Sequence, residues 1–172
     1  MSTADRYWNQ FVEARPFAVR PDRPYVEAFS FGFDATDAAE IAELVREGKK
    51  TATGSVLWAY AHDGKPVPAV GDHWVVLEAG DRPACIIRTT RVEILPFDEV
   101  PEIYAELGGE GDCSVAHWQA IYGRYIDAEC ARMGREPSAS APLVMERFEV
   151  VYAEPPEDAA AGVAASGPGE RG

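Results

Sequence analysis

"HWVVLEAGDRPACIIRTTRVEILPF", residues 73–97, decides the fold. Two aliphatic-rich runs, "HWVVLEA" and "ACIIRTTRVEILPF", flank the turn-forming "GDRP", and this arrangement predicts paired strands. Working outward, "YVEAFSFG" (Tyr25–Gly32) and "LVMERFEVVY" (143–152) read as two more strands. Between them, "DATDAAEIAELVREG" sets Ala38, Ile41, Leu44 and Val45 on one helical face, with Asp34 or Thr36 to cap its start and Gly48 to end it. A second helix is expected to begin near Asp98 and stop before "GGEGD". A third runs from Ser114 to about Met133, turns Val115, Trp118, Tyr122, Tyr125, Ile126 and Cys130 inward, and stops at Gly134. Short β-runs interrupted by such helices predict an α+β domain, a small barrel or strongly curved sheet with helices on its flanks.

The flanks differ in character. From Thr3, Tyr7, Trp8, Phe11 and Val12 follow helical spacing until "RPFAVRPDRP" breaks it with three prolines, so residues 1–24 read as a leading helix and linker. Residues 25–154 form the body. Residues 155–172, rich in Ala, Gly and Pro and without an aromatic ring, read as a disordered tail. No internal repeat is evident.

Composition narrows the function. The 172 residues carry 29 acidic against 16 basic side chains, a surface that repels the phosphates a broad nucleic-acid-coating protein must neutralise. Any nucleic-acid contact must therefore be local, and a long duplex is excluded as a partner. Cys85, Cys113 and Cys130 have no CxxC spacing and an odd count, which speaks against a zinc ribbon or disulfide framework and for a reducing, cytoplasmic setting. No signal segment or membrane-spanning run of apolar residues is seen. His62, His73 and His117 with Asp63 and Asp72 lack the spacing of a dedicated metal site.

"EGKKTATGS", Glu47–Ser55, is an unusual way for so acidic a chain to leave a helix. Lys50 and Thr53 would face opposite ways in a regular strand, whereas a turn or bulge would bring them together. A desolvated lysine beside a hydroxyl can activate an oxygen nucleophile. Alternatively, Lys49 or Lys50 as a fixed cation, with the hydroxyls of Thr51, Thr53 and Ser55, could hold an anionic group. The plainest use of such lysines is to complement the negative end of the helix dipole.

"GKKTATGSVLW", then residues 70–100, then "GEGDCSVAHW" and the closing "ERFEVVY" resemble the ASCH domain family over roughly Tyr25 to Tyr152. The carrying signature is G-x-K-x-x-T, here Gly48, Lys50 and Thr53. The resemblance implies a PUA-like small β-barrel with flanking helices, related to RNA-binding modules, and a cleft at its mouth. In a smaller bacterial branch, which deacylates acylated cytidine nucleosides, a lysine and threonine of this motif act with a downstream glutamate; Lys50 and Thr53 match the first two, and Glu110 in "GGEGD" is the best candidate for the third. A longer bacterial member is described as a ribonuclease acting on single-stranded RNA. The smaller branch has an arginine shortly after the threonine, where this chain has Gly54 and Ser55.

The expected catalytic set is thus Lys50, Thr53 and Glu110. For amide hydrolysis Lys50 would accept a proton from Thr53 or water while Glu110 serves the leaving amine. For RNA cleavage a charged Lys50 would stabilise the phosphorane, with a carboxylate or a divalent-metal-bound water moving protons. No other cofactor is called for. Trp58 and Tyr60, read as strand residues beyond the signature, either stack a base or fill the barrel. Arg88 and Arg91, three apart on one strand, should face oppositely, so at most one joins Lys50 in a cleft. The expected partner is a nucleoside or short single-stranded RNA, and the alternative to a hydrolase is a non-catalytic module that binds one.

Overall fold

A computed structural model describes residues 1–19 and 24–157. The elements run α1 (Thr3–Ala14), β1 (Glu27–Ser30), α2 (Ala35–Arg46), β2 (Ala52–Val56), α3 (Leu57–Asp63), β3 (His73–Glu78), β4 (Arg82–Pro96), a 3-10 turn (Phe97–Glu99), α4 (Ile103–Gly108), α5 (Val115–Met133) and β5 (Pro142–Tyr152). The strands form one five-stranded sheet in the order β1-β3-β4-β5-β2. Only β1 and β3 pair in parallel; the other neighbours are antiparallel. The sheet curls into a half-barrel with flanking helices, the α+β, PUA-like architecture expected. Its edge strands, β1 and β2, do not pair with each other.

Strand alternation divides the core. Val75, Leu77, Ile86 and Tyr152 bury against Ala4, Tyr7, Trp8 and Phe11 of α1. On the other face, Val76, Cys85, Ile87 and Phe148 pack on Ile41, Ala42 and Val45 of α2. At the β2–β5 end, Ala52, Val56, Leu143 and Met145 meet Tyr104 of α4 and Trp118, Tyr122 and Ile126 of α5. Burial of such apolar surface, about 25 cal/mol per Å², is the main force holding these layers together. The helix termini follow local chemistry: Asp34 caps α2 through the Asp37 amide, and Ser114 caps α5 through that of His117.

The leading helix belongs to this core. Phe11 is fully buried, the Tyr7 hydroxyl donates to the Glu154 carbonyl at 2.7 Å, and Gln10 donates to the Pro155 carbonyl at 2.9 Å. Glu157 also donates its amide to Gln10, so residues 155–157 of the expected tail lie against α1; residues 158–172 lie outside the described residues.

Two further expectations are corrected. Leu57–Asp63 is a helix that ends at left-handed Gly64, so Trp58 and Tyr60 are not strand residues. Between Thr89 and Arg91 the β4–β5 register slips by one, because Thr90 is an extra residue in β4. Arg88 is then opposite Glu149 and Arg91 opposite Arg147, which puts both arginines on the same side of the sheet rather than on opposite sides.

Candidate functional site

Gly48, at φ +71°, turns the chain out of α2, and the amides of Lys49 and Lys50 both close on the Leu44 carbonyl. The turn parts the two lysines. Lys49 points outward to an ion pair with Glu47, whereas Lys50 is 2% exposed. The Lys50 Nζ donates to Glu110 Oε2 at 3.0 Å, approaches the Gly108 carbonyl at 3.4 Å and lies 5.4 Å from the Phe31 ring centroid. A carboxylate, a carbonyl and an aromatic face are partners for an ammonium rather than for a neutral amine.

Glycine is what lets Glu110 arrive there. Gly109 has φ +68°, and a Cβ on it would sit 2.4 Å from the Lys49 carbonyl oxygen. The loop can thus lie directly on the Lys49–Lys50 peptide. Gly111 makes the same close approach to the His117 ring. The Thr51 amide donates to the Leu107 carbonyl at 2.8 Å and ties the start of β2 to α4.

Because β2 is an edge strand, alternate amides have no strand partner. The Gly54 amide donates to the Tyr122 hydroxyl at 2.9 Å and the Val56 amide to that of Tyr125 at 3.3 Å. A side chain at Gly54 would meet Met145 Sδ at 2.7 Å and Tyr122 Cε1 at 3.0 Å, so the glycine makes room for this phenol. The Ser55 hydroxyl lies against the phenols of Tyr60 and Tyr125, and burial pushes Tyr125 up to about 12. Tyr60 is raised further by the same cause, with Glu146 adding to it, and remains a protonated donor.

Glu146 was not anticipated as a site residue. It faces Thr53 across the β2–β5 ladder, is 6% exposed, and lines the same cleft. Trp74 Nε1 donates to Thr89 Oγ1 at 3.0 Å, which directs the Thr89 proton to Glu146 Oε2 at 3.1 Å. Burial raises the Glu146 carboxyl to about 7, the Thr89 hydrogen bond opposes the rise, and Asp72 adds to it. A sequence signal existed: period-two alternation places Glu146 with Val144 and Phe148, both interior residues.

These groups surround a cleft of about 1140 Å³ that spans the gap between β1 and β2. Phe29, Phe31, Tyr60, Trp74, Tyr122 and Phe148 supply aromatic wall, and Lys50, Thr53, Ser55 and Glu110 lie together on it. The lining is mostly acidic: Glu27, Asp37, Glu40, Asp63, Glu110, Glu129 and Glu146 against Lys50, Lys65 and His117. Lys49, Thr51, Trp58 and Arg88 do not line it. Trp58 packs on the α5 core with Arg135 stacked 3.7 Å from its ring, and Arg88 is held on the surface by Glu149. Among the described residues no group of three or more His, Cys, Asp or Glu gathers as a metal site, and no helix is long and apolar enough to cross a membrane.

Comparison with known proteins places this geometry. A search of curated proteins found no match. Among solved structures, the ASCH domain from Lactobacillus crispatus JV V101 superposes with a TM-score of 0.79 at 30% identity, covering 87% of this chain and 94% of that one. A protein from Enterococcus faecalis V583 gives 0.80 at 25% identity over 98% of both chains. The ASCH domain model itself matches residues 27–152, from β1 through β5. The chain belongs to the ASCH domain family.

Proposed function

We propose that the cleft binds a compact modified nucleoside and hydrolyses an acyl amide on its base. The observation that carries this reading is buried Lys50 paired at 3.0 Å with the partly exposed Glu110, facing an aromatic-walled cleft that also holds Thr53. An ammonium fixed in a desolvated site stabilises the oxyanion that forms when water adds to a carbonyl. Glu110, already accepting from that ammonium, takes the proton the attacking water gives up. Thr53 orients the water or the carbonyl. The lysine thus acts as a charged group and not as the base.

The aromatic wall suits a nucleobase, since one stacked base contributes about 1–3 kcal/mol. The acids lining the cleft favour a ligand of low negative charge over an RNA strand, whose successive phosphates would meet carboxylates. The proposed substrate class is therefore an acylated cytidine or similar nucleoside.

The test is parallel incubation of the protein and its Lys50→Met and Lys50→Ala variants with N4-acylated cytidine and with a single-stranded oligoribonucleotide. Release of cytidine, reduced at least 100-fold in both variants, is expected, with the oligonucleotide left intact. Lysine-dependent cleavage of the oligonucleotide would instead select the ribonuclease reading. Tight binding of either compound without turnover would select the binding module.

A further inference from the structure

We infer that Glu146 is a catalytic residue of this cleft, the proton donor to the leaving nitrogen, a task separate from that of Glu110; the inference rests on the hydrolase reading above. Two carboxyl groups face one cleft in contrasting surroundings. Glu110 is a quarter exposed and accepts from the Lys50 Nζ at 3.0 Å, so its partner is a cationic side chain. Glu146 is 6% exposed, and the donor on its Oε2 is the neutral hydroxyl of Thr89, itself oriented by Trp74. Two acids set in unlike environments on one site divide acid and base roles between them.

The charged and titratable groups around Glu146 agree with this division. Asp72, in the turn before β3, disfavours its ionisation, and Tyr60 of α3 is itself held neutral. Glu27 of β1, Glu129 of α5, Glu110 and Lys50 are among the other ionisable groups on the cleft walls, with His117 of α5 and Lys65. With its carboxyl raised to about 7, Glu146 carries a proton in an appreciable fraction of molecules at neutral pH and is able to give it up.

Water oxygen bonds to the acyl carbon, one water proton passes to Glu110, and the carbonyl oxygen becomes an oxyanion beside Lys50. On collapse the C–N bond breaks, its electron pair stays on the nucleoside nitrogen, and that nitrogen takes the Glu146 proton. The acid and the free amine leave, and the proton held by Glu110 restores Glu146 through solvent.

The decisive experiment is the pH profile of kcat/KM on N4-acylated cytidine for the native protein, Glu146→Gln and Thr89→Val. Native activity should fall as pH rises through about 7, because the donor must be protonated. Glu146→Gln should lower the rate about 100-fold and remove that limb. Thr89→Val withdraws the hydrogen bond that favours the carboxylate and should move the limb to higher pH. A Glu146→Gln protein that keeps the native rate or limb, or a Thr89→Val limb that stays in place, overturns the assignment while leaving the hydrolase reading intact. Absence of native turnover overturns both.

Discussion

Lys50 and Glu110 are separated by 60 positions in the chain and by 3.0 Å in space. Glu110→Gln would leave a nearly inaccessible ammonium without its counter-charge, which costs about 2–3 kcal/mol given that Glu110 is partly reached by water. Lys50→Met keeps the volume and removes the charge, and should cost about 1 kcal/mol. Urea denaturation of the two variants checks the order. A methionine variant less stable than the glutamine variant would contradict the account of the pair.

Gly109→Ala should be costlier than Gly48→Ala, although both positions have positive φ, at +68° and +71°. The first adds a clash with the Lys49 carbonyl at 2.4 Å, whereas nothing lies within 4 Å of the second. Expected losses are about 3 kcal/mol and about 1 kcal/mol. Only Gly109→Ala should also weaken nucleoside binding, measured by calorimetry, because it displaces Glu110 from Lys50.

Glu146 makes stability depend on pH. Its folded value of about 7 lies above the ordinary 4.5, so the unfolded chain loses this proton first. Across that window the folded protein holds more protons, and stability falls as pH rises from about 4.5 to about 7, by up to ~3 kcal/mol. Glu146→Gln abolishes the contribution. Its stability relative to the native protein should therefore be higher at pH 8 than at pH 4, as read from thermal melts at both.

Tyr122→Phe takes the acceptor from the Gly54 amide without changing the ring that packs beside it. A loss of about 1–2 kcal/mol is expected. Amide hydrogen exchange should speed up at Gly54 and much less at Val56, whose acceptor is Tyr125. Equal acceleration at both amides would mean that α5 moves as a whole.

The periodic elements were the legible part of the chain. Local rules place α2 between Asp34 and Gly48 and α5 between Ser114 and Gly134, because caps and apolar spacing act within a few residues. The short helix holding Trp58 and Tyr60 escaped, since "LWAYAHD" follows a strand directly and its two aromatics, two residues apart, match the strand period. The extra residue at Thr90 was equally hidden, for a bulge is set by the partner strand. In the site, the family signature pointed to Lys50 and Thr53 and the wider resemblance to Glu110, and the fold brings all three to one cleft. Glu146 and the Tyr122 and Tyr125 hydroxyls were not read as site groups. Alternation within β5 marks Glu146 as interior, but its place opposite Thr53, like that of the two phenols, depends on β5 and α5 lying beside β2, a tertiary fact that spacing does not encode.

The clasp between α1 and residues 154–157 has a practical consequence. Helix α1 covers the face of the sheet that looks away from the cleft, so a tether joined at the amino terminus anchors the molecule by its back. Immobilised on a sensor surface in that orientation, the protein presents its mouth to the flowing solution, and small-molecule capture can be followed without steric interference from the support.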